Sequence, residues 1–296
     1  MHGFLNINKP SGITSFDVIR RLKKCFPKGT RIGHLGTLDP MATGVLPVAV
    51  GQATRIIPYL EKGEKEYIAS MTLGAVSDTQ DAWGNIIDGQ PGSVSREQLE
   101  GVLPLFRGTI WQEPPMFSAV HYEGVRLYEL ARQGKTVSRE KRPVEIKSLE
   151  LLEFEDRDRY PVAKLKVVCS RGTYIRTLCH DIGQELGTGA YLSALTRTRS
   201  GEFTLSQATD LDEALDSWSS LLMPLDYPLQ DWPLVVLTTP QDVRGMENGQ
   251  TITVNTRLPA GLVRVYRPDN TLLAIAQVQR RGDKDYLKPE RVFHIQ

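Results

Sequence analysis

Gly33-His34-Leu35-Gly36-Thr37-Leu38-Asp39-Pro40-Met41-Ala42-Thr43-Gly44-Val45-Leu46-Pro47 places one carboxylate in a glycine-rich, almost charge-free run. Glycine supplies backbone angles that other residues rarely adopt, and Pro40 pushes Asp39 toward an extended conformation. Asp39 is therefore expected to be held rigidly, on a loop whose backbone comes close to a large ligand. Asp-Pro by itself is a common turn opener, so the weight rests on the surroundings. The run has neither the Gly-x-Gly-x-x-Gly nor the Gly-x-x-x-x-Gly-Lys-Ser/Thr spacing of a phosphate loop, and no nucleotide cofactor is suggested.

Working outward, Leu5 to Lys9 reads as a short strand entering a Pro-Ser-Gly turn, after which Thr14 or Ser15 caps a helix reaching about Phe26. Residues 66–74 alternate as a strand with Tyr67 at its beginning. Ser95-Arg96-Glu97-Gln98 has the form of a capping box opening a helix toward Phe106, and 124–133 reads as a short helix stopped by Gly134. Ala163, Leu165, Val167 and Cys169 alternate with more polar residues as another strand, which runs directly into Arg171-Gly172-Thr173-Tyr174. Ile175, Leu178, Ile182 and Leu186 then follow helical spacing, which puts Tyr174 and Arg176 in the first turn of an amphipathic helix. Prolines at 224, 228, 233 and 240 separate this body from a β-rich tail, so a domain boundary is expected near residue 232.

Charge is nearly balanced, at +1, but segregated. Residues 1–65 carry an excess of about six positive charges, whereas 203–243 contain seven acidic residues and no Lys or Arg. Such segregation suits one polyanion-binding face, and equally a solvated basic one. Cys25, Cys169 and Cys179 form no Cys-x-x-Cys pair, and the five histidines lack metal-ligand spacing. No disulfide framework and no metal are expected. Without a signal-like N-terminus or a membrane-length apolar run, a cytoplasmic protein with no membrane association is expected.

The chain resembles the TruB family of tRNA pseudouridine synthases. The Gly-His-x-Gly-x-Leu-Asp-Pro-x-Ala-Thr-Gly-x-Leu-Pro signature carries most of the likeness, supported by Gly3 to Gly12, Lys65-Glu66-Tyr67 and Ser170 to Thr177, in the family's order across roughly residues 3–230. The resemblance implies an α+β fold: a catalytic domain of the pseudouridine synthase type over 1–231, built on a mixed, mainly antiparallel sheet with an RNA-binding insertion at about 113–147, then a small β-barrel, PUA-like RNA-binding domain over 232–296. It implies isomerisation of uridine 55 in the T-loop of tRNA, by base flipping and an aspartate nucleophile, without a cofactor. The partner is the T-arm of tRNA, met by a monomer with no obligate protein partner.

The resemblance also assigns roles. Asp39 becomes the catalytic carboxylate, Tyr67 the stacking surface for the flipped base, and His34 a filler of the space that flipped bases leave. Arg176 pairs with Asp39, orienting it and lowering its pKa. Tyr174 becomes a pocket-floor residue, Leu195 an apolar contact for the uracil, and Asp81 a brace behind Arg176. Arg132 and Arg142 belong to the basic insertion that closes over the RNA. Two competing readings are an RNA-binding or RNA-folding protein in which catalysis is secondary, and a small-molecule enzyme on a similar scaffold.

Overall fold

A computed structural model of the chain describes residues 1–60, 63–89, 94–157 and 160–294. The chain begins with β1 (Gly3–Lys9), α1 (Ser15–Leu22), β2 (Ile32–His34), β3 (Thr43–Val50), α2 (Ile57–Leu60) and β4 (Lys65–Leu73). Two short strands, β5 (Ala75–Ser77) and β6 (Ile86–Asp88), pair with each other before α3 (Arg96–Val102) and β7 (Gly108–Gln112). A small hairpin, β8 (His121–Tyr122) and β9 (Val125–Arg126), leads into α4 (Leu127–Arg132). Then come β10 (Arg142–Glu155), β11 (Val162–Cys169), α5 (Ile175–Glu185), β12 (Ala190–Ser200), β13 (Phe203–Thr204), β14 (Thr209–Asp210) and α6 (Leu211–Leu221). The last stretch holds β15 (Leu234–Val236), α7 (Pro240–Glu247), β16 (Ile252–Val254), β17 (Leu262–Tyr266), β18 (Leu272–Arg281) and β19 (Lys284–Val292).

Local sequence explains the helix starts. Thr14 and Asp17 close a reciprocal capping box at α1, and Ser95 with Gln98 does the same at α3. Both helices end earlier than their apolar spacing predicts, because Lys23–Cys25 and Leu103–Phe106 tighten into 3-10 turns. The expected helix over 124–133 is shorter as well: Val125 and Arg126 are taken by the hairpin, and the helix covers only Leu127–Arg132. Tyr174 is the extended N-cap of α5 and not a first-turn residue.

Ten strands form one mixed sheet, with the central order β14-β1-β3-β12-β4-β11-β10-β7. Only β1/β14 and β3/β12 run parallel. One face of this sheet is packed by α1, α5 and α6 through a single apolar core that contains Leu5, Val18, Leu46, Tyr67, Met71, Leu165, Leu178, Leu195 and Ala214. A separate, curled five-stranded sheet, order β15-β17-β18-β19-β16, follows at the C-terminal end. Its Tyr266, Leu272, Ile275 and Phe293 share a second core with Phe4, Val45, Ala49 and Ile56, so apolar burial joins the two sheets. Among the described residues no helix is long and apolar enough to cross a membrane.

Gly44 locks the signature loop into this frame. The parallel contact of β3 with β12 is brief, Thr43 opposite Thr196 and Gly44 opposite Arg197. Gly44 has φ +98°, and a Cβ there would lie 2.3 Å from the Arg197 carbonyl oxygen. Both backbone conformation and space therefore exclude any other residue. Gly44→Ala is expected to lower the free energy of unfolding by at least about 2 kcal/mol, read as a fall in the urea midpoint at unchanged slope.

Candidate active site

Asp39 sits on the loop between β2 and β3, held from behind by backbone pairing. The Ala42 N–H donates to the Asp39 carbonyl at 3.0 Å, and the Leu38 N–H donates to the Ser15 hydroxyl at 2.8 Å. The Asp39 side chain is 33% exposed, while the guanidinium that meets it, Arg176, is 5% exposed. Arg176 comes from α5, 137 residues further along the chain, so the pair exists only because the sheet brings the two segments together.

Arg176 makes three contacts. Its Nη2 donates to Asp39 Oδ1 at 3.2 Å and to the Phe117 carbonyl at 2.7 Å. Its Nη1 lies 3.6 Å from Asp81 Oδ2. Asp81 is itself fixed, accepting from the Thr79 hydroxyl at 2.7 Å and the Trp83 N–H at 3.0 Å. The guanidinium also lies over the Tyr174 ring, 5.9 Å from its centroid. Gln112, at the end of β7, clamps Tyr174 by accepting from its N–H at 3.0 Å and donating to its carbonyl at 3.3 Å.

One expectation is corrected here. Arg176 does pull the Asp39 pKa down, but burial outweighs it and Asp81 adds a like charge, so the carboxyl lies above its ordinary value. Burial thus leaves its anion less well solvated than a free carboxylate, which the ion pair alone would not do.

Tyr67 occupies the start of β4, directly opposite Arg197 of β12 and 6% exposed. Leu195, two residues before Arg197, is 7% exposed and belongs to the same core as Tyr67, Leu38 and Met41. Burial raises the Tyr67 phenol above its usual range, so its hydroxyl stays protonated at neutral pH. His34 is half-buried in β2, with a buried Nδ1 that has no hydrogen-bond partner. Burial, then the Arg197 charge, lowers its pKa and favours the neutral ring. His34 lines a cavity of about 780 Å³ with Lys65, Arg171, Tyr59 and Trp232, the last from the segment leading into the second sheet. Asp39 itself is not in that lining.

The structure does not bring every candidate to this point. Arg132 is exposed on α4, 5.4 Å over the Tyr128 ring, and Arg142 is exposed at the start of β10. The insertion that carries Arg132 touches the site through the Phe117 carbonyl instead. Among the described residues no group of three or more His, Cys, Asp and Glu side chains is placed to hold a metal ion.

Two buried cations were missed by sequence reasoning. Lys9 is fully buried, and its ammonium donates to the carbonyls of Pro10 at 2.8 Å, Ile13 at 2.7 Å and Pro40 at 3.3 Å. Burial pushes its pKa down to about 8, with the Asp39 charge opposing. Arg197 is also fully buried, donating to the carbonyls of Val45 at 2.7 Å and Gly36 at 2.9 Å. Its signal was present in the sequence: on the alternation of β12 it falls on the apolar face with Leu195. An arginine there without a carboxylate near it is expensive unless backbone carbonyls receive it. Together these cations hold both ends of the Asp39 loop by its own carbonyls.

Residues 23–175 match the family model described as TruB family pseudouridylate synthase (N terminal domain), and residues 176–230 that of the tRNA pseudouridylate synthase B C-terminal domain. A protein named tRNA pseudouridine synthase B from Syntrophomonas wolfei subsp. wolfei is 56% identical over 298 residues, covering 100% of this chain and 99% of that one. Its namesake from Moorella thermoacetica is 42% identical, covering 98% and 99%. Among solved structures, an H/ACA RNP bound to a substrate RNA containing 2'-deoxyuridine aligns with TM-score 0.74 and 27% identity, over 99% of this chain and 85% of that one. A Cbf5-Nop10-Gar1 complex aligns with TM-score 0.74 and 28% identity over the same shares.

The electrostatics of Asp39 are directly measurable. A ¹³C titration of its carboxyl is expected to give a midpoint above 3.8, and a higher one still in Arg176→Met, because the guanidinium is the chief group opposing desolvation. Stability carries the same sign: with the folded pKa raised, the native state holds the proton longer, so stability falls as pH rises from 3.8 through the folded value. Asp39→Asn lacks this loss, and its thermal midpoint relative to wild type is expected to climb across that window.

Proposed function

The chain belongs to the TruB family of pseudouridylate synthases, and from that premise we propose how its residues divide the isomerisation of uridine to pseudouridine in tRNA, at position 55 of the T-loop. The reaction breaks the bond between uracil N1 and ribose C1′ and forms one from C5 to the same carbon. The hydrogen on C5 leaves and N1 gains one, so no electrons are exchanged with any partner. A single carboxylate at the reacting carbon suffices for such chemistry. The observation that carries this reading is the Asp39–Arg176 pair, with Asp81 behind the guanidinium, beside the buried Tyr67 and Leu195.

In this reading Asp39 faces the anomeric carbon. Its desolvated anion opposes positive charge at C1′ as the glycosidic bond breaks, and Arg176 fixes its direction. Arg176 is held in turn by Asp81 and the Phe117 carbonyl, so closure of the insertion and orientation of the carboxylate are one event. Tyr67 stacks on the extruded base with its hydroxyl protonated, Leu195 meets the uracil, and Tyr174 forms the floor. His34, neutral and with an unsatisfied nitrogen, occupies the gap that extrusion leaves in the loop. Extrusion itself costs a few kcal/mol, offset by these surfaces.

Arg132 and Arg142 would then contact phosphates of the T-arm in a sequence-tolerant manner. The curled C-terminal sheet, which fits a PUA-like domain, serves as a second RNA-binding surface, with the division between the two domains near residue 232. We take the chain to act as a monomer, without an obligate protein partner, in the cytoplasm where its tRNA substrate resides.

The test is tritium release from a tRNA transcript labelled at uridine C5, with no cofactor or metal added. Wild type is expected to release label from the T-loop uridine. Asp39→Asn should reduce release by more than about 10³-fold while filter binding of tRNA is retained. Equal release by both proteins would remove Asp39 from the reaction.

A further inference from the structure

Among the described residues three other than glycine hold a positive φ: Gln80 at +64°, Glu123 at +48° and Asn270 at +62°. Glu123 and Asn270 stand at the tips of the β8–β9 and β17–β18 hairpins, where tight turns ordinarily use this region. Gln80 stands elsewhere, in the longer connection between β5 and β6, and it immediately precedes Asp81. The left-handed region brings a β-carbon too close to the neighbouring backbone, so a glutamine stays there only when its surroundings hold it.

Two neighbouring elements hold this one. Through its backbone Gln80 joins β12: the Leu192 N–H donates to the Gln80 carbonyl at 3.0 Å, and the Leu192 carbonyl accepts from the Ala82 N–H at 2.9 Å. Asp81 therefore sits in a short parallel bridge opposite Leu192. The Gln80 N–H closes the turn on the Ser77 carbonyl at 3.0 Å. Through its side chain Gln80 joins α5, where its Oε1 accepts from the Thr177 hydroxyl at 2.8 Å. Thr177 is buried and follows Arg176 directly. A hydrogen bond between the chain neighbours of Asp81 and Arg176 thus ties the turn that carries one to the helix that carries the other.

The tie matters because the charged groups do not fix each other. Arg176 Nη1 and Asp81 Oδ2 are 3.6 Å apart, beyond an ordinary hydrogen bond. The Thr79 hydroxyl and the Trp83 N–H both donate to Asp81 Oδ1, so they orient the carboxylate within its own turn and leave the distance to α5 open. A small rotation of the turn would carry Asp81 away from the guanidinium without breaking either bond.

We propose that Gln80 is a positioning residue for the reaction: tied to Thr177, its left-handed backbone keeps Asp81 behind Arg176, and Arg176 keeps its direction toward Asp39. Gln80 acts through Asp81. The inference rests on the roles given to Asp39 and Arg176 above.

The test is the single-turnover rate of tritium release from C5-labelled tRNA at saturating enzyme, with tRNA affinity measured separately by filter binding. Gln80→Leu keeps the bulk and removes the acceptor, and Thr177→Val removes the donor and keeps the shape. Thr177→Val also keeps the proposal testable should Gln80→Leu fail to fold. Each folded variant is expected to slow release by about 10- to 100-fold at unchanged tRNA affinity, the scale on which a misplacement of about 1 Å acts. In an Asp81→Asn background the same substitutions are expected to cost less than about twofold more, because a residue that acts through Asp81 has nothing left to position. Unchanged release in either folded variant, a loss carried by tRNA affinity instead, or a full multiplicative loss on top of Asp81→Asn overturns the proposal. Wild type and Asp39→Asn run alongside. Equal release by those two removes the reading on which the proposal rests, whereas a normal difference between them with unaltered release by Gln80→Leu removes the tie alone.

Discussion

The Arg176 guanidinium is the constraint around which the site is organised. It reaches from α5 to three segments at once: the Asp39 loop, the Phe117 backbone of the insertion and the bridge residue Asp81. A lysine could supply the charge but not three directed contacts, because only a planar fork presents donors along fixed lines. Burial is what chiefly lifts Asp39 above its ordinary pKa, with the Asp81 charge adding to it and the Arg176 and Lys9 charges opposing. The ion pair thus orients the carboxylate, while burial sets the direction of its pKa.

The other buried cations work by a different rule. Lys9 and Arg197 are fully buried but are received by backbone carbonyls rather than by carboxylates. Arg197 is received by carbonyls of the Asp39 loop and of β3, and Lys9 ties Pro40 of that loop to the Pro10 and Ile13 carbonyls of the turn after β1, so the cations act as rivets on a glycine-rich segment. Gly36 and Val45 accept from Arg197, and Pro40 accepts from Lys9, bracketing Asp39 on both sides. The glycines permit the conformation, and the cations select it. The Arg197 charge then spreads outward, opposing protonation of His34 and lying against Tyr67.

Apolar burial sets where the second sheet can sit. Phe293, Ile275 and Tyr266 enter the same core as Phe4 and Val45, so the C-terminal strands are pinned to the back of β1 and β3. Gln52 and Arg55 reach across to His294 and Val292, so hydrogen bonds tie the two sheets together as well.

The sequence by itself determined the local matters. Capping at Thr14 and Ser95, the strand alternation through Tyr67 and Cys169, and the rigid Asp39 loop all depend on neighbours a few residues apart, where spacing carries the information. The family signature added the fold class and the pairing of Asp39 with Arg176. Helix ends and the shortened α4 were not legible, because a 3-10 turn or a hairpin wins over helical spacing only through tertiary packing. The sign of the Asp39 pKa shift was misjudged for a related reason: a charge partner can be inferred from a motif, whereas desolvation is a property of everything that surrounds the group. The burial of Lys9 was likewise decided by tertiary structure, whereas Arg197 left a trace in the alternation of β12 but not of the carbonyls that receive it. Whether a cation is solvated, bonded to carbonyls or crowded against its own kind depends on residues up to 242 positions apart, as between Gln52 and His294, and no spacing along the chain encodes that.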